Sequence, residues 1–279
     1  MKRGLTDIIN VMRGSTQVTK VMRGTVLIWE KAVGGYDADY QAVLDYATAN
    51  AIVLPTGVQQ DIDNQLMIDY KATGAWNKND SVFKFEGTAD PAFKLIDWKR
   101  LILGATFGSV TWDVDGIKGN GTNAYFNPHF NPSLHGVNYT TTNASIMFTQ
   151  TALGLGDRAI FGMYEGDSNT YCLSFPNDGV GSYIIVNGIV NNSQSVRHDY
   201  LGLTSINRLT ATSANVNTNT PATTTQETSS YNGLPQSEIY IMARNYNGTP
   251  DLFWDGKLGF VSFGSDKTEI HNSIKTVLE

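Results

Sequence analysis

The chain has 279 residues, a formal net charge of −6 and 16% charged residues, against roughly 25% in ordinary soluble domains. That charge excludes a diffuse attraction to nucleic acid or to an anionic membrane. No window approaches the ~20 apolar residues a spanning helix needs. Asn, Thr, Ser and Gly replace the missing charge, while the 41% hydrophobic content suffices for a sizeable core. The single cysteine, Cys172, excludes an internal disulfide.

The N-terminus, Met1-Lys-Arg-Gly-Leu-Thr-Asp-Ile-Ile-Asn10, is basic, but its apolar run breaks too soon for a signal peptide. A near repeat comes next: Val11-Met-Arg-Gly-Ser-Thr-Gln-Val18, then Val21-Met-Arg-Gly-Thr-Val-Leu-Ile28, closed by Trp29. Each copy places Gly after Arg and returns to a β-branched or apolar residue, the pattern of short strands with tight turns. Some 30 residues bury no core of their own. The expectation for 1–33 is a β unit for attachment or oligomerisation through Val11, Val18, Val21, Ile28 and Trp29.

Gly34-Gly35 forms a hinge, and 34–90 reads as a helical linker module. Asp37 or Asp39 caps a first helix with Tyr40, Val43, Leu44 and Ala47 on one face. Leu54-Pro-Thr-Gly57 ends it. A second helix carries Val58, Ile62, Leu66 and Tyr70 every four residues and stops at Thr73-Gly74. Trp76, Phe83 and Phe85 add aromatic bulk where this module meets the β domain.

The remainder, 91–279, reads as short strands. Trp112 to Pro132 encloses apolar runs between glycines and two Asn-Pro steps, turn–strand–turn punctuation. Strand patterns recur at Ser145–Thr149, Arg158–Met163, Tyr171–Phe175, Ile239–Ala243 and Leu258–Phe263. Asn187-Gly188 is a hairpin signal. Leu209, Ala211 and Ser213 alternate as an exposed strand fading into a Thr-rich loop through Ser230. The stripe Ile270, Ile274, Val277, Leu278, capped near Ser265 or Asp266, makes a closing helix. Many short strands of this spacing predict a mainly β, two-sheet sandwich.

Leu66-Met-Ile-Asp-Tyr-Lys-Ala-Thr-Gly-Ala-Trp-Asn-Lys78, Val82–Ala89, Lys118-Gly-Asn-Gly-Thr-Asn-Ala-Tyr-Phe-Asn-Pro128, Met242–Gly248 and Leu258–Gly264 together resemble a family of tailed-phage virion proteins. These carry a concanavalin A-like (laminin-G-like) jelly-roll domain. The repeat ending in Ile28-Trp29-Glu30 is similar to the short β unit of phage appendage proteins. The resemblance covers nearly the whole chain through structural, not catalytic, motifs. It implies a jelly roll at 91–279 behind the β unit and helical module, and a fibre, spike or decoration subunit located in the virion. It further implies homo-oligomers, with capsid, portal or tail proteins as partners and host-surface polysaccharide as a ligand. A purely architectural role and, more distantly, a polysaccharide depolymerase are the rival readings. The Thr-rich stretch 210–230 departs from the pattern of such domains, which often carry an Asn-Gly hairpin there.

Residue chemistry narrows the sites. Acid/base cleavage of a glycosidic bond needs paired carboxylates. The glutamates here are scattered, and Asp113-Val-Asp115 reads as an exposed acidic edge, so no enzyme is expected. His129 and His135, six apart in a Pro-rich loop, lack helical metal-ligand spacing. Gly116, Gly119 and Gly121 lack the strand–helix context and the Lys-Ser/Thr of a phosphate loop. Oxygen-rich loops such as Glu165-Gly-Asp-Ser-Asn169 could supply calcium ligands, and no other cofactor is expected. Sugar binding needs an aromatic platform beside an amide or carboxylate. The candidates are Tyr164 with Asp167 and Asn169, Tyr231 with Asn232, and Tyr246 with Asn247.

Overall fold

The computed structural model describes residues 35–154, 158–166, 170–175, 183–188, 201–218, 224–227 and 233–279. It also describes the strand backbone of 12–13, 16–17, 20–23 and 26–30. In the N-terminal repeat each copy is one hairpin. β1 (Met12–Arg13) pairs with β2 (Thr16–Gln17), and β3 (Lys20–Arg23) pairs with β4 (Val26–Glu30). Val21, Ile28 and Trp29 therefore lie in strands; Val11 and Val18 fall outside the described residues.

Helix α1 (Ala38–Ala49) starts where the Asp37 carboxylate accepts the Asp39 N–H, and it buries Tyr40, Val43, Leu44 and Ala47 as their spacing predicts. Helix α2 (Gly57–Ala72) is capped by Thr56 and buries Gln59, Asp63, Asn64, Met67 and Tyr70. The expected stripe at Val58, Ile62, Leu66 and Tyr70 is thus corrected: Ile62 is exposed and Val58 and Leu66 are only half-buried. The reason is what α2 covers. Asp63 meets the buried ammonium of Lys84 at 2.8 Å, Gln59 Oε1 accepts from Thr88 N and Oγ1, and Asn64 Oδ1 accepts from Asp37 N. Satisfying buried polar groups outweighs a slightly more apolar helix face.

The one-turn helix α3 (Ala75–Lys78) leads into β5 (Asn79–Lys84), and α4 (Pro91–Lys94) comes after it. Then come β6 (Ala105–Phe107), β7 (Thr111–Asp113), β8 (Gly116–Lys118) and β9 (Tyr125–Asn127), the turn α5 (Pro132–His135), and β10 (Ala144–Ala152). The chain continues through β11 (Phe161–Glu165), β12 (Thr170–Phe175), β13 (Tyr183–Gly188), β14 (Gly202–Arg208), β15 (Ser213–Asn217) and β16 (Thr224–Glu227). The last strands are β17 (Tyr240–Ile241), β18 (Arg244–Tyr246), β19 (Thr249–Asp251) and β20 (Lys257–Gly264), and α6 (His271–Leu278) closes the chain.

One sheet runs β16-β15-β14-β10-β20-β8-β7, with β5 also paired to β20; the other runs β13-β12-β11-β17-β9-β6, with β18 on β11 and β19 on β18. Strand alternation makes three layers from these two sheets. Phe83, Ile146, Phe148, Ile206, Val261 and Phe263 point from the first sheet into the second, meeting Phe126, Phe161, Met163, Cys172 and Ile241. Their neighbours Val82, Met147, Leu203 and Phe260 point the other way and pack under Tyr40, Leu44, Met67, Tyr70 and Ile274 of the helices. The first sheet is therefore covered on both faces. Its strand β5 comes from within the segment read as helical linker, so helices and sandwich share the first sheet.

Two turn readings need correction. Thr210 Oγ1 accepts from Thr212 N and Ser213 N, so Leu209–Thr212 is the hairpin turn between β14 and β15, not a strand. A further strand, β16, then pairs with β15. Asn187-Gly188 is a β-bulge inside β13: Tyr171 faces Gly188, Cys172 faces Val186, and Asn187 (φ 55°) is the extra residue. Its buried amide accepts from Tyr139 Oη and donates to the Thr140 carbonyl.

α6 docks through His271, whose Nδ1 lies 2.8 Å from Ser205 Oγ, and through Glu279, which accepts from Leu203 N. Burial first, and the Lys275 charge second, push the imidazole down to about 4. A depressed histidine favours the folded chain above the unfolded value near 6.5, and that stability is lost as pH falls towards 4. Between pH 7 and 4 the fold should lose about 1–2 kcal/mol through this group, part of the shift being screened by solvent. His271→Asn should remove that part of the acid sensitivity in urea melts; an unchanged slope would refute it.

Candidate ligand-binding face

No helix covers the outer face of the second sheet among the described residues. The parallel pairing of β11 with β18 sets Gly162 opposite Arg244 and Tyr164 opposite Tyr246. Glycine at 162 is what lets the strand be covered closely: a Cβ there would stand 2.7 Å from Leu173 Cδ1 and 3.0 Å from Arg244 Cα. The Tyr164 and Tyr246 rings lie 4.8 Å apart, tilted by 42°, and Tyr246 is 41% exposed.

The β18–β19 hairpin turns on Asn247 (φ 47°) and Gly248 (φ 87°), the left-handed pair that Asn-Gly adopts at least cost. Asn247 Oδ1 accepts from Gly166 N at 3.0 Å and its own N–H donates to the Tyr164 carbonyl at 3.1 Å, tying the two strand ends together. The Arg244 guanidinium makes two bonds to Asp251, at 2.9 and 2.6 Å, and sits 5.0 Å from the Tyr246 ring centroid. Two platforms predicted separately, Tyr164 and Tyr246 with Asn247, are thus one. Asp167, Asn169, Tyr231 and Asn232 lie outside the described residues.

A second aromatic group on the same face was not legible in the sequence. Phe107 stacks on Tyr125 at 4.7 Å and 9°, Tyr125 stacks on Tyr240 at 4.7 Å and 27°, and Phe253 lies 6.2 Å from Tyr125. These rings come from β6, β9, β17 and the segment after β19, and only strand register brings them together. Beside them Glu238 accepts from Asn127 Nδ2 at 2.6 Å and meets His129 Nδ1 at 3.0 Å. His129 holds a left-handed φ of 51°, which Arg100 enforces by donating to the Pro128 and His129 carbonyls at 2.5 and 2.7 Å. The signal available in the sequence was His129 itself, considered only as a metal ligand.

Other candidates resolve into structural pairs. Asp113 and Asp115 converge on Lys257, 3.7 Å from Asp115, and the hydrogen bond from Lys257 holds the Asp113 carboxyl below its usual range. His135 Nδ1 accepts from Asn131 N at 3.0 Å. Glu165 Oε1 accepts from Gln236 N at 2.7 Å, and the rest of the oxygen-rich stretch after Gly166 is outside the described residues. Among the described residues no group of three or more His, Cys, Asp or Glu side chains is arranged to hold a metal. No helix of the described residues is long and apolar enough to cross a membrane.

No protein-family model and no curated protein matches the chain. Among solved structures it is similar to the receptor binding domain of botulinum neurotoxin C/D mosaic serotype. That alignment has 12% identity and a TM-score of 0.50, and covers 72% of this chain and 52% of that one. It also aligns with a Trypanosoma rangeli sialidase mutant displaying trans-sialidase activity, at 11% identity and TM-score 0.49, over 80% of this chain and 39% of that one. A third alignment is with domain 4 of the GH43 extracellular arabinanase AbnA from Geobacillus stearothermophilus, solved in complex with arabinotriose. It has 10% identity and a TM-score of 0.42, covering 72% of this chain and 98% of that one. The chain spans about half of the neurotoxin domain and about two fifths of the sialidase. Likeness at such identity speaks of fold alone, and the two-sheet topology agrees with it. The chain is a mainly β protein built on a two-sheet β sandwich with helices on one sheet.

Proposed function

We propose that the chain is a virion appendage subunit whose sandwich adheres to host-surface polysaccharide. The observation that carries the adhesive part is the asymmetry of the sandwich. Helices cover the first sheet, while the second presents Tyr164, Tyr246 and Asn247 outward as an aromatic platform with an amide beside it. The virion context rests on the resemblance of the chain to tailed-phage proteins and on the two N-terminal hairpins, too small to fold alone. Those hairpins attach the subunit to capsid, portal or tail proteins and to sister subunits. Binding is adhesion without bond cleavage, and weak single sites gain strength from many copies on one particle. Calcium is not required for this reading.

Tyr246→Ala should lower binding of the full-length protein to its bacterial polysaccharide about tenfold, with only a small fall in melting temperature because the ring is 41% exposed and outside the core clusters. The check is a glycan array followed by calorimetry, with and without calcium. Equal binding by the variant and the parent would remove the platform. Binding to no glycan by a protein that still assembles into a defined oligomer would favour the architectural role.

A further inference from the structure

The Phe107–Tyr125–Tyr240 stack and the Glu238–His129 pair have no part in the platform just described, yet they lie on the same sheet face. Phe107 sits on the edge strand β6, 42% exposed, and forms the outer end of the stack. A flat ring at the end of a stack offers the apolar face that a pyranose ring packs against. Tyr125 and Tyr240 stack on each other, and burial pushes the Tyr240 phenol up to about 12. Glu238 and Tyr240 project to the same side because Ile239 between them points into the core, as does Ile241.

The polar half of the arrangement is held in advance. Glu238 is gripped by Asn127 and by His129 Nδ1, and its backbone carbonyl accepts from Asn245 Nδ2 at 2.8 Å. The His129 side chain is 41% exposed, and its Nε2 has no partner among the described residues. Strained backbone kept in place by an arginine, next to a half-exposed imidazole–carboxylate pair, is a combination that core packing alone does not call for.

The two aromatic groups are joined by one stretch of chain. Gln236 bonds Glu165 beside the Tyr164–Tyr246 platform, and four residues later Tyr240 enters the stack. That stretch spans at most about 14 Å, a distance that a short run of sugar residues can cover. Charge selects among glycans. Glu238 lines the strip, and the guanidinium at its platform end, Arg244, is closed in a two-bond fork on Asp251. A sialic or uronic carboxylate would meet like charge with that fork already taken.

Resting on the adhesive reading above, we infer that the strip from Tyr164 and Tyr246 to Phe107 is one extended site for a neutral polysaccharide. In it Phe107 is a stacking subsite, and His129 and Glu238 bind hydroxyl groups. Sugar binding at Phe107 and selection against anionic glycans are its two consequences.

The test is calorimetry of the full-length protein with two sets of probes. Neutral hexasaccharides of glucose, galactose and N-acetylglucosamine form one set; oligosialic acid and a galacturonate hexamer form the other. At least one neutral hexasaccharide should bind, more tightly than its disaccharide and more tightly than either anion. Phe107→Ala and His129→Asn, the latter tolerating the left-handed backbone, should each weaken it about fivefold to tenfold, more than their small loss of melting temperature accounts for. If the anionic probes bind preferentially, the strip as described is wrong. If a neutral probe binds and is lost in Tyr246→Ala but not in Phe107→Ala or His129→Asn, the extended site fails and the adhesive reading stands. If no probe of either charge binds, both fail.

Discussion

Asp97→Ala should destabilise the protein by about 3–5 kcal/mol, the cost of breaking a buried charged pair from one side. Asp97 is fully buried. Its Oδ1 accepts from the N–H groups of Val82, Lys99 and Arg100, at 3.1, 2.9 and 3.2 Å. Its Oδ2 accepts from Ser81 Oγ and Arg100 Nε, each at 2.6 Å. Alanine would leave these donors without an acceptor and the Arg100 charge uncompensated. Asp97→Asn, which keeps the shape but sets an amide N–H against Arg100, should cost less. Urea unfolding reads both, and a loss below about 1 kcal/mol for alanine would show that water replaces the carboxylate. The effect reaches the proposed site, because Arg100 holds the Pro128 and His129 carbonyls. Arg100→Lys, keeping charge without the fork, should lower stability and weaken sugar binding by more than that loss accounts for.

The second large effect has the opposite sign. Lys267 is fully buried, and its ammonium donates to the Ser265 carbonyl at 3.2 Å. Burial pushes its pKa from 10.5 down to about 7, with Asp80 opposing and Lys78 adding to the shift. Below about pH 7 the folded chain must carry the charge in the core, so the penalty is fully present there. It fades as pH rises towards 10.5, because across that window the unfolded chain binds more protons. Lys267→Met should therefore raise stability at pH 7 by about 2–4 kcal/mol and flatten the rise in stability between pH 7 and 10. A variant less stable than the parent would mean that the bond to Ser265 outweighs the buried charge. His271 acts in the same direction at lower pH, so the parent should gain stability from acid to alkali through two separate windows.

Particular residues show where sequence reasoning holds and where it stops. The α1 face was legible because Tyr40, Val43, Leu44 and Ala47 bury apolar area alone, which periodicity measures. The α2 face was not, because Gln59, Asp63 and Asn64 go inward to partners on other elements. The Asn247-Gly248 turn was legible as a turn because left-handed backbone has few residue choices. The same dipeptide at Asn187-Gly188 became a bulge, since the conformation it permits is local but its use is set by the opposite strand.

The alternation of short apolar runs, the N-terminal repeat and the closing stripe of α6 by themselves determined a β sandwich with small additions before it. Neighbouring residues also marked Tyr164, Tyr246 and Asn247 as candidates, although the two tyrosines lie in strands β11 and β18 and only Asn247 sits in a turn. Tertiary structure alone decided that Tyr164 and Tyr246 share one platform, that Phe107, Tyr125 and Tyr240 stack, and that His129 meets Glu238 109 residues away. Strand order and register join such positions, and both are set by how two sheets and a helix layer pack together, which no local pattern encodes.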